Sequence, residues 1–253
     1  MLFRRIILTA FLIGLLGGIV LTGLQSVEVW PVISSAEQYE QPETDHPDFS
    51  AAHNDDVPEH TQDHEAWSPE NGWPRILSSS LSNTLVSIGF ATLLLALMAL
   101  LQLTGITRLN TRRGLLWGLA GFAVFFAAPG LGLPPEIPGT LAAPLGLRQM
   151  WWIFTILMTS TGIGLLVFSP YRVKVMGLVM VVLPYLVGAP HYSGALFSVT
   201  DSHVVVILHH LQQRFWLATG VTNFVFWLLL GSCCAWTVNR WILKDIDHHA
   251  AQA

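Results

Sequence analysis

Residues 81–103 read LSNTLVSIGFATLLLALMALLQL, without a single Asp, Glu, Lys, Arg or His. A run of this kind is long enough to cross a bilayer, whose hydrocarbon core asks for about 20 apolar residues. Lipid offers no partner for backbone N–H and C=O groups, so the segment must satisfy them internally, as a helix. Five further apolar segments flank it, at Ile6–Leu24, Gly114–Leu133, Met150–Phe168, Val175–Ala189 and Phe215–Val238. The whole chain agrees: 52% of its 253 residues are hydrophobic and the mean hydropathy is +0.53. Charged residues make up 11%, against about 25% in a soluble domain. The expected fold class is an all-α integral membrane protein with about six transmembrane helices. Glycines and Pro184 inside the runs do not oppose this, because membrane helices tolerate both.

Cations orient the spans. Arg4, Arg5, Arg108, Arg112, Arg113, Arg172, Lys174, Arg240 and Lys244 all fall on one side if both termini are cytoplasmic. The other side keeps Arg75, Arg148 and Arg214, together with every acidic residue except Asp245 and Asp247. The expected division is an N-terminal signal-anchor helix over 1–24, an extracytoplasmic loop over 25–78, a five-helix membrane domain over 79–243 and a cytoplasmic tail over 244–253. The first segment also has the Arg pair and apolar run of a signal peptide, and its cleavage would leave five spans; TGLQS, however, is a poor small-x-small cleavage site. Val204, Ile207, Leu208 and Leu211 recur at helical spacing in the polar stretch 200–214 and predict a short helix lying at the outer interface. Trp30, Trp67, Trp73, Trp151, Trp152, Trp216 and Trp241 fall near span ends, where indole rings anchor at the membrane surface. Asn83, Gln102, Thr155, Thr159, Ser160, Thr161, Thr222 and Asn223 lie in or near spans and are expected mostly to bond between helices.

The outer loop contains HPDFSAAHNDDVPEHTQDHEAW, residues 46–67, with four histidines, six carboxylates and no Lys or Arg. It has little apolar material to bury and should be largely disordered alone. Neutral imidazole suits cobalt, nickel, zinc and copper, and carboxylates attract any divalent cation. His46, His53 and His60 are spaced by seven, but Pro47 and Pro58 forbid one continuous helical stripe. A local turn starting at Pro58 with Asp56 as its cap would set His60 and His64 on one face, an i,i+4 chelating pair. Glu59, Asp63 and Glu65 add oxygens. A solvated acidic loop that keeps the exposed face soluble fits the same composition. A zinc-protease helix does not: the position four after His64 is Ser68, so H-E-x-x-H fails.

Elsewhere, Glu136 stands in APGLGLPPEIPG, residues 128–139, whose prolines bar a regular helix. Irregular backbone at the membrane edge survives where it packs on protein or lines a wet cavity. Glu136 can thus present a carboxylate at a mouth, or be an exposed loop residue. His191, Asp201, His203, His209 and His210 fall in one outer loop, with His203 and His210 on a shared helical face and His209 turned about 100° away. They are candidate ligands or pH-titrating surface groups. Cys233 and Cys234 are adjacent, so no disulfide framework exists. They read as packing residues, with a soft-metal exit site as the alternative.

The blocks DHEAWSPENG (63–72), Arg75, Asn83 with SIGFATLLLAL (87–97), APGLGLPPEIPG (128–139), LRQMWW (147–152), LPYLVGAP (183–190) and TNFVFWLLLG (222–231) run in this order. Together they resemble the CbtA family of predicted cobalt transporter subunits. The resemblance implies an inner-membrane protein, a role in cobalt uptake in the context of cobalamin synthesis, and a small single-span histidine-bearing partner, CbtB. It also implies five spans. The family commonly has an acidic residue shortly before the Arg-Gln-x-Trp-Trp block, where Pro144 stands here. The H-x4-D-H helices and ligating N-terminal Met-His of other cobalt and nickel carriers are absent, and no Walker A loop exists for ATP hydrolysis.

The expected function is therefore a membrane subunit of a divalent metal uptake transporter. Cobalt(II) is the expected cargo, with nickel or zinc possible, and no cofactor is permanently bound. The candidate metal residues are His46, His53, Glu59, His60, Asp63, His64, Glu136, His191, His203 and His210. The partners expected are the bilayer and the CbtB-type subunit, and no nucleic acid. The alternative is a non-transporting membrane protein that senses or buffers metal. No enzyme motif supports an intramembrane catalyst.

Overall fold

A computed structural model describes residues 2–39 and 72–242. Eight α-helices follow one another among the described residues: α1 Leu2–Glu28, α2 Trp30–Glu37, α3 Trp73–Leu103, α4 Thr111–Phe122, α5 Ala128–Gly132, α6 Leu145–Phe168, α7 Tyr171–Val187 and α8 Ser202–Thr237. A π turn, Ala123–Ala127, joins α4 to α5, and a second, Val238–Ile242, follows α8. Local chemistry marks the ends. Asn110 caps α4 by accepting a hydrogen bond from the Arg113 amide at 2.8 Å, and Asp201 caps α8 through the His203 amide at 2.8 Å. Side-chain oxygens there satisfy amides that have no partner within the helix.

Apolar side chains gain nothing by leaving lipid for one another, so helices in a membrane adhere through close contact at small residues. A Cβ added at Gly14 of α1 would lie 2.4 Å from Ile88 Cα of α3, and one at Gly18 would lie 2.5 Å from Thr84 Cα. Between α4 and α8 a Cβ at Gly118 would lie 2.4 Å from the Trp227 carbonyl oxygen. Glycine there lets backbone touch backbone. Ala10, Leu95, Met98, Phe226, Trp227 and Leu230 form the main core between these four helices. Phe125 of the π turn stacks on Trp227, with centroids 5.3 Å apart and planes at 9°. The α6–α7 hairpin packs on itself at Gly162 and Gly177.

Among the described residues five helices are long and apolar enough to cross a membrane: Leu2–Glu28, Trp73–Leu103, Arg112–Gly132, Leu145–Phe168 and Ser202–Ile242. The 17-residue α7 is the short one, about 25 Å at 1.5 Å per residue. It nevertheless returns across the bundle. It begins one tight turn after α6, and the loop that follows it meets the loop that precedes α6, through the Leu141 amide and Leu196 carbonyl at 2.8 Å. The two described ends of the chain also meet: Arg5 Nη1 donates to the Trp241 carbonyl at 3.3 Å. Asn239 Nδ2 donates to the Leu109 carbonyl, in the α3–α4 turn, at 3.0 Å. Both ends therefore lie at one end of the bundle, the end that gathers Arg5, Arg108, Arg112, Arg113, Arg172, Lys174 and Arg240. An even number of crossings follows, six with α7 included.

The structure departs from the sequence reading in four places. Helix extends into the 25–78 stretch from both sides, with α1 and α2 reaching Glu37 and α3 starting at Trp73. The helix over 200–214 is not a separate interfacial piece but the first turns of α8, a rod of 36 residues and about 54 Å; no turn signal interrupts it. Of the eight in-span polar residues named from the sequence, three bond within their own helix and one bonds between helices. Thr155 donates to Trp151, Ser160 to Leu157 and Asn223 to Thr219, whereas Asn83 reaches across to Thr22 and Gln25 of α1. The short hydroxyls and the Asn223 amide find the preceding turn's carbonyl nearer than any neighbouring helix. Trp151 is not an interfacial anchor. It is buried, and its indole N–H donates to the Pro184 carbonyl at 3.3 Å, tying α6 to α7.

Candidate functional site

The end of the bundle opposite the basic one carries a cap with its own core. Val29, Val32 and Ala36 of the α1–α2 corner and α2 pack with Ile137, Phe197, Leu208 and Phe215. The segment 133–144 winds through this cap. Pro129 lacks a backbone donor, and the π turn precedes it; beyond Gly132 the run Pro134-Pro135-Glu136-Ile137-Pro138 cannot continue as helix. Gly139 at φ +77° completes the turn, and Thr140 donates its hydroxyl back to the Ile137 carbonyl at 2.8 Å.

Two devices hold Glu136 in this irregular segment. The first is Gln212 of α8. Its Nε2 donates to the Pro135 carbonyl at 2.5 Å, and its Oε1 accepts from the Ile137 amide at 3.1 Å. One side-chain amide thus grips the peptide groups on both sides of Glu136. The second is Arg148, in the first turn of α6, whose Nη2 meets Glu136 Oε2 at 2.6 Å. Both side chains are about one-quarter exposed, at 28% and 26%. The Arg148 Nε is buried without a hydrogen-bond partner, so the guanidinium is used on one side. Tyr185 of α7 braces the same region, donating its hydroxyl to the Ala128 carbonyl at 2.8 Å.

A second ion pair lies across the cap. Arg75 of α3 meets Glu37 of α2 in two contacts, 3.0 Å and 2.5 Å. This fork-to-fork geometry is the strong form of the interaction. It fastens the last turn of α2 to the first turn of α3, the two helix ends between which residues 40–71 run.

The sequence-derived candidates distribute unevenly. His46, His53, Glu59, His60, Asp63 and His64 lie outside the described residues. Glu136 stands at the cap, but as an ion-paired carboxylate. His191, His203 and His210 are exposed. His209 faces Phe197 edge-on at 5.1 Å, and Asp201 serves as the α8 cap. Among the described residues no group of three or more His, Cys, Asp or Glu side chains is arranged to hold a metal ion. Cys234 is buried in the main core, its Sγ 4.0 Å from the Ala91 carbonyl oxygen. In the irregular segment the arrangement offers a fixed carboxylate, Glu136, whose counter-ion is Arg148. A cation can take it only by sharing it with Arg148 or displacing it.

Sequence reasoning missed Gln212 and the pairing of Glu136 with Arg148. An amide is not a metal-ligand type, so nothing singled out Gln212. The pairing did leave a trace: the acid-rich side has three cations, and Arg75 and Arg148 each pair with a carboxylate.

Comparison with curated proteins and with solved structures finds no match. The family model described as "Probable cobalt transporter subunit (CbtA)" matches residues 3–239, from the start of α1 to the π turn after α8. The chain therefore belongs to the CbtA family, the probable cobalt transporter subunits.

Proposed function

We propose that the chain is the membrane subunit of a cobalt(II) uptake transporter in a bacterial cytoplasmic membrane, with nickel or zinc as further cargo. The observation that carries this reading is the family match over nearly the whole chain. In the proposed orientation the basic end is cytoplasmic and the cap is extracytoplasmic. The segment 46–65 then gathers cations through its field and through weak ligation by His46, His53, Glu59, His60, Asp63 and His64. Glu136 receives the ion at the cap, and His191, His203 and His210 act as exposed auxiliary ligands. A charge within the bilayer is costly without ligands. The described part of the bundle has no acidic or histidine cluster at depth. The remaining ligands are assigned to the small single-span CbtB-type partner, to hydroxyls such as those of Ser87 and Thr159, which are buried without a hydrogen-bond partner, and to backbone carbonyls. The chain acts as a carrier subunit rather than an enzyme, within the supply of cobalt for cobalamin synthesis.

The test is radiocobalt uptake by cells making this chain with its partner, against cells making neither. Uptake that requires the chain supports the reading. No uptake at any cobalt concentration, with or without the partner, would overturn it.

A further inference from the structure

We infer that Gln212 is the positioning residue of the cation-receiving carboxylate, and that α8 sets the cobalt affinity of the cap through it. This deepens the transport reading and rests on it for its consequence in uptake, though not for its geometry. The segment around Glu136 belongs to no helix, and Pro134, Pro135 and Pro138 supply no amide donors with which it could hold itself in place. Beyond the turn closed by Thr140 on the Ile137 carbonyl, its position is fixed from outside. Gln212 bonds the Pro135 carbonyl at 2.5 Å and the Ile137 amide at 3.1 Å, so the Glu136 Cα lies between two anchored peptide groups. The buried Ile137 side chain adds a third point.

Arg148 holds the carboxylate itself, not the backbone. A cation that displaces the guanidinium removes that restraint at the moment of capture. The Gln212 bonds persist through this exchange, because they engage main-chain atoms and not the carboxylate. They keep Glu136 in place for its ligand while Arg148 withdraws. The partnerless Arg148 Nε fits such an exchange, since the guanidinium is not locked by a full set of bonds. Gln212 sits inside an unbroken helix that runs to the basic end. Displacement of α8 along its axis therefore carries Glu136 with it.

Gln212→Met keeps the volume and removes both bonds; Gln212→Glu keeps the acceptor for Ile137 and loses the donor for Pro135. In the full chain with its partner, the half-saturating cobalt concentration should rise about tenfold for Gln212→Met and about threefold for Gln212→Glu, from the loss of two neutral hydrogen bonds or one. The maximal rate should stay within about twofold. Hydrogen exchange at the Ile137 amide, read on purified protein, should quicken at least tenfold in Gln212→Met and stay slow in Gln212→Glu. A faster Ile137 exchange with unchanged half-saturation overturns the positioning role. Unchanged exchange in Gln212→Met overturns the grip itself. A maximal rate that falls with unchanged half-saturation also overturns the inference, because it reports a folding or turnover defect. Absence of wild-type uptake defeats the transport reading instead, and the Ile137 exchange still decides whether Gln212 grips the segment.

Discussion

The four-helix core and the cap above it are held by opposite means. In the core, α1 meets α3 and α4 meets α8 through glycines that let main chain touch main chain, and Phe125 stacks on Trp227. In the cap, irregular backbone is held by polar side chains: Gln212 on the peptide groups beside Glu136, Arg148 on its carboxylate, Arg75 on Glu37. The difference follows from the surroundings. Lipid excludes unpaired polar groups but tolerates any close-packed helix pair, whereas water at the bundle's end makes charged contacts affordable and exchangeable. The core is built to stay and the cap to be rearranged.

The comparison breaks most visibly at Gly118. Gly118→Leu must push α4 off α8, because even a Cβ would sit 2.4 Å from the Trp227 carbonyl oxygen. A loss of about 3 kcal/mol or more is expected, seen as a large drop in the melting temperature of the detergent-solubilised protein. An unchanged melting temperature would mean that the close contact is absent. Next comes Arg148→Ala, which strands Glu136 in a half-buried site. It should cost about 1–2 kcal/mol, between the exposed and buried ranges for ion pairs. It should also tighten cobalt capture, since the competing cation is gone; a weaker capture would show that Arg148 orients the carboxylate rather than guarding it. Arg75→Ala should cost about 1 kcal/mol or less and leave the core's melting unaffected. Its mark should be faster proteolysis near residues 37–75. The smallest effect belongs to His203→Ala with His210→Ala, both exposed side chains, for which cobalt half-saturation should move by less than about twofold.

The contrast also decides what the sequence could reveal. Span existence was legible because apolar length is a property of one segment, as 81–103 shows. The length of α8 was not, because its first turns, with His203, His209 and His210, are polar enough to read as a separate surface helix, while helix continuity depends only on the lack of a break. The Gly14, Gly18 and Gly118 contacts are properties of pairs of segments, and a single run of sequence does not name its neighbour. The position of Glu136 was legible from its prolines. Its occupancy by Arg148 was not, because the two lie 12 positions apart with irregular chain between Glu136 and the start of α6 at Leu145, and spacing rules apply only along regular elements. Gln212 stood 75 and 77 residues from the groups it holds, in a side-chain class used everywhere.

The most direct test of the cap as the receiving site is the cobalt dependence of uptake in Glu136→Gln combined with deletion of residues 45–65, in cells that also make the partner subunit. The half-saturating cobalt concentration should rise at least tenfold, as loss of a charged ligand worth about 1.4 kcal/mol or more requires, while the core's melting temperature is retained. Uptake kinetics identical to those of the intact chain would contradict it.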